Sequence, residues 1–519
     1  MPVPTPFPPD PRALTLRPHS AGLACALLAG LAPAWAQDAG ASRMVTISPT
    51  LSISETLTDN VQLSDTDRRS DAVTQLTAGV SVAANRGRVR GSLDYQLTGS
   101  IHARESSTNS HANALRAALQ ADVIENFLSI DANASISQQL ISPFGKQSVD
   151  PTGATGNRTE VRTLAVSPAI QSRLGGWALF SARATRSQTS SVSTSAGDLT
   201  SDSFNASLVS ASPTAVGWSA TLSHQASDFD VGRRTTTDSA NVGLSYRPDP
   251  DLSFTATVGR ERSNLTSLDS RETHGTWGVG ATWTPSDRTR LSLQRDSRFF
   301  GDTHSVSFEH RMARSNWRIS SSRDLTTGTP AAGSSSMLTL YDLLYANRAA
   351  QIPDPALRRQ AVLDEIRLMG RSPTDLVAGG GFVSSAVTLG SRQDISVALQ
   401  GIRTTLTLGV YRSDSRRIDA AGAATDGLGA SGQVRQQGLN VNVGHRLTPS
   451  SELNLTLSQG RSRSGNGLES SDLRSVTLAW TSQLGARTNF SLGARHVSFD
   501  STTSPYVESA LTATLAIRL

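Results

Sequence analysis

The chain has 519 residues, 37% of them hydrophobic and 5% aromatic, and its formal net charge is +5. This hydrophobic fraction is low for the several packed cores of a soluble chain of this length. The single cysteine, Cys25, excludes disulfides and cysteine metal sites from the rest of the chain, and the dispersed charges exclude a basic tract for nucleic acid.

The first residues have the layout of a secretory signal. Two arginines precede an apolar run over residues 21–32, and Ala-Trp-Ala at residues 34–36 offers a small-residue cleavage site. The apolar run is shorter than the roughly 20 residues that a membrane-spanning helix needs. We therefore predict a signal peptide at residues 1–36 and a mature domain at 37–519.

The mature domain alternates apolar and polar residues, as a β-strand does when its two faces meet different environments. In segment 88–103, Leu93 and Leu97 share one face and polar residues occupy the other. The last segment, 504–519, shows the same alternation and ends on the apolar Leu519. Such a pattern is typical of strands that separate lipid from water in a closed barrel.

The links between these segments alternate in length. Short turns follow the even-numbered segments and longer polar loops follow the odd-numbered ones, which neither a soluble sandwich nor a β-solenoid predicts. We therefore predict an all-β fold, a transmembrane antiparallel β-barrel of about 22 strands (range roughly 16–24), in the bacterial outer membrane with both termini periplasmic. Its expected partners are outer-membrane lipid and the barrel insertion machinery.

Five tryptophans lie beside the short turns. Trp177, Trp218 and Trp317 follow a turn, whereas Trp283 and Trp480 precede one. Aromatic rings gather where lipid meets water, so these residues are predicted to form a periplasmic girdle. The alternative is that aromatic residues simply favour strand ends.

Charged residues on the polar strand faces are candidates for the barrel lumen, namely Arg90, Asp94, Arg183 and Arg318. The histidines of the mature domain are scattered without metal-ligand spacing, and the sequence contains no phosphate-binding loop or dinucleotide motif. We therefore predict no enzymatic activity, no catalytic or metal site and no cofactor.

Residues 326–381 do not alternate, and they predict an insert of two short helices. Helical spacing occurs over 337–349 and 356–369, and Asp354 is the predicted N-cap of the second helix. A barrel of this size has a lumen too wide for its own side chains to fill, so the insert is either an extracellular loop or a lumen plug. The apolar stripe of the second helix is predicted to comprise Leu357, Ala361, Val362, Ile366, Leu368 and Met369.

Two motifs resemble a known family. The sequence Ile-Ser-Pro-Thr-Leu-Ser-Ile-Ser-Glu-Thr at 47–56, followed by Thr-Asp-Asn-Val at 58–61, is similar to the opening of outer-membrane β-barrels associated with the PEP-CTERM/exosortase system. Residues 340–346 and 352–358 resemble that family's helical insert. The resemblance implies a Gram-negative outer membrane, often with exopolysaccharide genes nearby, and it brings no catalytic residues.

Three functions follow as expectations. The resemblance implies a conduit or accessory for exopolysaccharide export, with polysaccharide and export-system proteins as partners. The polar inner face alone predicts a diffusion porin for small solutes. A non-conducting surface scaffold for adhesion or assembly is the third.

Overall fold

The computed structural model describes most of the mature domain. The predicted signal peptide lies outside the described residues, so it stays a prediction. The described residues are 45–150, 155–192, 198–211, 215–230, 234–265, 271–327, 341, 344–345, 348, 352, 354–368, 382–384, 386–418, 428 and 432–519.

Antiparallel strands dominate the described part of the chain and form one 22-stranded sheet. Consecutive strands pair with each other throughout, and the helices whose bounds lie within the described residues are a 3-10 turn at Ser106–Thr108 and α1 at Pro355–Leu368. The strands are Val45–Thr58 (β1), Asp71–Arg86 (β2), Val89–His102 (β3), Ser110–Ile124 (β4), Leu128–Leu140 (β5), Arg158–Leu174 (β6), Ala178–Ser191 (β7), Leu199–Ser210 (β8), Val216–Phe229 (β9), Thr235–Asp249 (β10), Leu252–Ser263 (β11), Glu272–Ser286 (β12), Thr289–Arg298 (β13), Gly301–Arg311 (β14), Ser315–Thr327 (β15), Val387–Gln400 (β16), Thr404–Arg417 (β17), Gln433–Thr448 (β18), Ser451–Ser464 (β19), Ser470–Gln483 (β20), Thr488–Ser501 (β21) and Tyr506–Arg518 (β22).

The sheet closes on itself because β1 pairs with both β2 and β22. At this seam the register runs from Thr50 opposite Arg518 to Thr58 opposite Ala510. On the inner side, the hydroxyl groups of Ser54 and Thr514 form a hydrogen bond of 2.7 Å across the seam. Closure leaves no strand edge, which satisfies the backbone hydrogen bonds that lipid cannot satisfy.

The two faces of the barrel wall are inverted relative to a soluble protein. On β22, Leu511 is 56% exposed on the outer face, whereas Tyr506 and Glu508 are buried on the inner face. The same alternation occurs on β1, where Leu51 and Ile53 are exposed. An exposed apolar exterior around a polar interior is the arrangement of a barrel in lipid, so the predicted transmembrane β-barrel is confirmed.

The two rims of the barrel differ. One, called the turn rim, carries the links after the even-numbered strands, such as the turn between Arg86 and Val89. The other, called the loop rim, carries the links after the odd-numbered strands. The predicted long loop after every odd-numbered strand is wrong at β13, because only Phe299 and Phe300 link it to Gly301 of β14. Gly301 has a φ of 114°, which permits this tight connection.

The predicted second helix is present as α1, and Asp354 caps it as predicted. The backbone N–H of Leu357 donates to Asp354 Oδ1 at 2.9 Å. The predicted apolar stripe is wrong at Leu357, which is 65% exposed, and it omitted Leu363, which is buried. Leu357 precedes Leu363 by six residues, so the two side chains point about 120° apart around a helix with 3.6 residues per turn.

The first predicted helix is described only in part. Tyr341, Leu344 and Tyr345 have helical backbone, and the other residues from 337 to 347 lie outside the described part. The insert also ends later than predicted, since β16 begins at Val387 and Phe382 instead forms an isolated bridge with Leu140. Among the described residues, no helix has the length and apolar character to cross a lipid bilayer.

Candidate functional site

The inner wall of the barrel is rich in hydroxyl groups. From β6 to β10, serine and threonine side chains alternate with exposed apolar ones such as Leu222 and Val242. We call this inward face the hydroxyl wall. Hydroxyl groups form hydrogen bonds across adjacent strands at Ser167–Thr185 (2.9 Å), Ser181–Ser207 (2.7 Å), Ser201–Ser227 (3.3 Å) and Ser223–Ser239 (2.6 Å). The wall can therefore bind water and polar solutes without a fixed charge at each position.

The insert has an apolar core of its own. Its two helical parts pack through a shared cluster, in which each of the five side chains has at most 7% of its surface exposed. The members are Tyr341, Leu344, Val362, Leu363 and Ile366. Because the insert carries its own core, it behaves as a small structural unit rather than as an extended loop.

The insert contacts the inner wall at two separate places. The guanidinium of Arg116, on β4, lies 4.6 Å from the centroid of the Tyr341 ring. Arg348 lies 4.0 Å from Glu452, at the turn-rim end of β19. Arg116 and Glu452 lie on the strand faces opposite the exposed apolar residues, so the insert lies inside the lumen. Of the two predicted positions, extracellular loop or lumen plug, the described contacts correspond to the second.

Helix α1 reaches the turn rim. Asp364 borders a cavity of about 180 Å³ together with Ser52, Gln483, Asn489 and Arg518. These four residues belong to strands or strand ends at the turn rim. β15 ends at the loop rim with Thr327, whereas Asp364 of the insert lies at the turn rim.

Charge pairing holds the insert together near Glu452. Arg348 Nη2 donates to Glu365 Oε2 at 2.8 Å. Burial raises the pKa of the Glu365 carboxyl above its ordinary value; the charge of Arg348 opposes this effect and that of Glu452 adds to it. Burial also works against the charge of Arg348, but its two acidic neighbours outweigh that effect and raise its pKa. The carboxylates of Glu365 and Glu452 flank the guanidinium of Arg348. Because the pKa of Glu365 is raised, the net charge of these three side chains depends on pH.

A second segment contacts the inner wall at the loop rim. The link between β5 and β6 reaches across to the inner faces of β21 and β22, where the Tyr506 hydroxyl donates to the carbonyl of Gln147. Arg495 forms ion pairs with Asp150 and, at 2.9 Å, with Glu508. The Arg495 side chain is only 9% exposed and that of Glu508 only 3%. We call this set of contacts the loop latch; it fixes the link over one sector of the lumen.

The four predicted lumen residues lie on three different strands and are not brought together. Arg90, Arg183 and Arg318 each pair with a nearby acid on an adjacent or nearby strand, at Asp122 (3.3 Å), Asp131 (2.7 Å) and Glu309 (3.0 Å) respectively. Asp94 is 7% exposed and lies opposite Arg116 in the strand register. All four occupy strand faces opposite the exposed apolar side chains, and their role as lumen charges stays a prediction.

The five predicted girdle tryptophans all have exposed side chains. Trp177 and Trp218, beside neighbouring turns of the turn rim, stack with their ring centroids 6.0 Å apart. Trp277 is not among the predicted girdle residues, and it is 48% exposed on the outer face of β12. Whether the five mark a membrane boundary stays a prediction.

Strand and helix periodicity does not predict the residues that hold the insert and the latch, namely Arg116, Arg348, Glu365, Glu452, Asp150, Arg495 and Glu508. One signal was present: Glu508 is the single acid of β22 and lies on its inward face, and a buried charge requires a partner. Within the described part of the chain, no group of three or more potential metal ligands occurs.

Comparisons with known proteins return similar folds at low identity. No protein-family model and no curated protein sequence matches the chain. Over 91% of this chain, the FrpB iron transporter from Neisseria meningitidis in its apoprotein form is 10% identical with a TM-score of 0.48, and 81% of that chain is covered. The siderophore receptor PirA from Pseudomonas aeruginosa is 9% identical with a TM-score of 0.42, over 91% of this chain and 80% of that one. The outer membrane protein OpdK from the same organism is 12% identical with a TM-score of 0.33, over 91% of this chain and 99% of that one.

Proposed function

We propose that the protein is an outer-membrane channel for polar solutes whose lumen is narrowed by its own helical insert. The observation that carries the proposal is the docking of the insert on the inner wall, through Tyr341 with Arg116 and through Arg348 with Glu452. A segment that served only as a surface loop would not need polar contacts at this depth.

The membrane and the orientation are part of the proposal. A closed barrel with an apolar exterior suits the bacterial outer membrane, where such barrels have short periplasmic turns and longer outside loops. By this rule the turn rim, and with it both ends of the strand series, faces the periplasm. A tag after Leu519 is expected to be protected from protease in intact cells and digested once the outer membrane is permeabilised.

The width of the lumen supports a passage beside the insert. Strands spaced about 4.8 Å apart and tilted about 40° give a circular 22-stranded barrel a backbone diameter of roughly 44 Å. A helix with its side chains is about 10–12 Å across, so α1 occupies only part of that width. The hydroxyl wall, on strands other than those that α1 contacts, would line the remaining path.

Single-channel conductance in planar bilayers tests the proposal. The intact protein is compared with a deletion of residues 328–381, which removes the insert and leaves β15 complete. The deletion is expected to raise the conductance severalfold. The Arg348→Gln variant, which breaks the contacts with Glu365 and Glu452, is expected to produce frequent openings of intermediate size.

Other outcomes assign other functions. If the intact protein and the deletion conduct alike, the insert does not restrict the lumen and an unrestricted diffusion porin replaces the proposal. If neither conducts although both are folded and inserted, the channel is refuted and the surface scaffold is left.

A more specific version of the proposal is that the channel is a conduit for exopolysaccharide. The hydroxyl wall favours it, because neutral sugar hydroxyl groups exchange hydrogen bonds readily with serine and threonine side chains. Efflux of neutral and of charged oligosaccharides of equal size from proteoliposomes tests this form. Faster efflux of the neutral series is expected, and equal rates would reduce the proposal to an unselective polar channel.

A further inference from the structure

The outer surface carries an arginine-lined groove at the loop rim. It lies on the outward faces of β17, β18 and β19, beside the link from β19 to β20, and has a volume of about 650 Å³. Four arginines line it, against one acid, Glu469. We call these four the arginine patch: Arg412, Arg435, Arg461 and Arg463.

Within the part of the chain that the structure describes, two members of the patch form no ion pair. Arg435 pairs with Asp414 at 3.2 Å and Arg461 with Asp472 at 2.7 Å. Arg412 and Arg463 are exposed and form no ion pair within the described part of the chain. The groove therefore contains two guanidinium groups that form no ion pair in the described part of the chain. Ion pairs with Asp414 and Asp472 hold the other two guanidinium groups in place.

The arginine patch lies directly beyond the exposed apolar side chains of the outer wall, which we call the apolar belt. On the same outward faces, Val410 of β17 is 42% exposed, Leu439 of β18 is 39% exposed and Leu457 of β19 is 37% exposed. Arg412 follows Val410 by two residues, so it is the next outward side chain toward the loop rim. The apolar side chains and the guanidinium groups thus form one continuous strip, apolar below and cationic above.

We propose that the arginine patch binds the phosphate groups of a lipid in the leaflet at the loop rim, while that lipid's acyl chains lie on the apolar belt. Guanidinium groups donate paired hydrogen bonds to phosphate and are the residues best suited to it. In this strip the apolar side chains that would contact acyl chains lie next to the guanidinium groups that would contact phosphate. A membrane lipid has its acyl chains and phosphate in the same order, whereas a free anion has no acyl chains. The proposal requires the membrane location but not the channel.

Lipid binding by the purified full chain in a neutral detergent tests the proposal. The probe is lipid A with two phosphates, compared with its fully dephosphorylated form and with inorganic phosphate, each titrated by thermophoresis at constant salt. The double variant Arg412→Gln/Arg463→Gln removes the charges of the two arginines that form no ion pair in the described part of the chain. Because both side chains are exposed and without ion pairs, their loss is expected to leave the fold intact, which heat-modifiable gel mobility checks.

A matched control comes from the other side of the barrel. Arg260→Gln/Arg262→Gln makes the same charge change on the outward face of β11 near the loop rim, where both arginines are exposed and without ion pairs in the described part. The patch variant is expected to bind lipid A at least about tenfold more weakly, and the control to lose less than about twofold.

Three results would overturn the proposal. Equal losses in the patch variant and in the control would mean a general attraction between the basic surface and lipid. Equal binding of phosphorylated and dephosphorylated lipid A would mean that the apolar belt alone binds it. Competition by inorganic phosphate at the same concentration as lipid A would mean a simple anion site.

Discussion

Arg495 is expected to stabilise the docked position of the link between β5 and β6 by an amount that can be measured. Replacing Arg495 with Gln leaves the carboxylates of Asp150 and Glu508 close together without their shared cation. Removing one partner of a buried ion pair costs about 3–5 kcal/mol. Glu508 keeps a hydrogen bond from the Thr58 hydroxyl at 2.9 Å, and the Asp150 side chain is 15% exposed. The lower end, about 3 kcal/mol, is therefore expected, and the population of the undocked link should rise about a hundredfold.

Proteolysis after Lys146 measures the population of the undocked link. Lys146, in the same link, is the single lysine of the chain, so a protease that cleaves only after lysine has one site. Its ammonium donates to the carbonyl of Gln62 at 3.0 Å, and the next residue, Gln147, is 9% exposed, so cleavage requires the link to open. When opening and closing are fast relative to cleavage, the cleavage rate follows the open population. Arg495→Gln is expected to be cleaved about a hundredfold faster than the parent.

Arg183→Gln is the matched control. The Arg183 side chain is 46% exposed and pairs with Asp131, so its loss is expected to cost at most about 1 kcal/mol and to change the cleavage rate less than about fivefold. Adding Asp150→Asn and Glu508→Gln to Arg495→Gln removes the two carboxylate charges around position 495 and is expected to slow cleavage again. Cleavage of Arg495→Gln at the rate of the control would refute the latch.

Three further predictions concern the insert and the wall. The pKa of Glu365 is raised when the insert is docked, so docking is coupled to the binding of a proton. The free energy of docking therefore becomes less favourable as the pH rises from the ordinary pKa of 4.5 through the raised value. Conductance should consequently increase with pH. Leu363→Ala should cost about 2–5 kcal/mol of insert stability and increase channel opening, whereas Leu357→Ala, at an exposed position, should change neither. Gly438→Ala should lower the temperature of heat-modifiable unfolding, because a Cβ there would lie 2.3 Å from the Tyr411 ring and overpacking costs about 1–3 kcal/mol.

Each of these has its own check. Glu365→Gln is expected to abolish the pH dependence of conductance, and an unchanged dependence would assign it to another group. Equal effects of the two leucine substitutions would contradict the buried cluster. Gly485→Ala, at a turn where a Cβ would meet nothing within 4 Å, is the control for Gly438, and equal destabilisation by both would count against the steric explanation.

Period-two alternation was sufficient to predict the barrel, because lipid on one side and water on the other impose opposite polarity on successive residues of every strand. The same reasoning placed Leu511 and Ile517 outside, where the structure has them. The insert was harder, because a helix inside a wet lumen packs only against a small partner. The predicted apolar stripe is consequently too wide and includes the exposed Leu357.

The lumen contacts were beyond the reach of pattern reasoning. The Asp150–Arg495 pair joins residues 345 positions apart, and the insert meets β4 and β19, which are not its sequence neighbours. Periodicity determines which way a side chain points but not which distant side chain it meets. The charges at these positions became interpretable only when the closed register placed them opposite one another.

The seam between β1 and β22 fixes the order of events during assembly. The hydrogen bond between Ser54 and Thr514 joins positions 460 residues apart, and the hydroxyls of Thr56 and Thr512 meet beside it at 3.1 Å. Neither contact can form until the intervening strands are in place, so closure is the last step and carries the largest loop entropy. Until then the nascent sheet has two open edges, each able to recruit a foreign strand. A chain stopped before β22 would therefore remain a permanent template for aggregation, however well its other hairpins had formed.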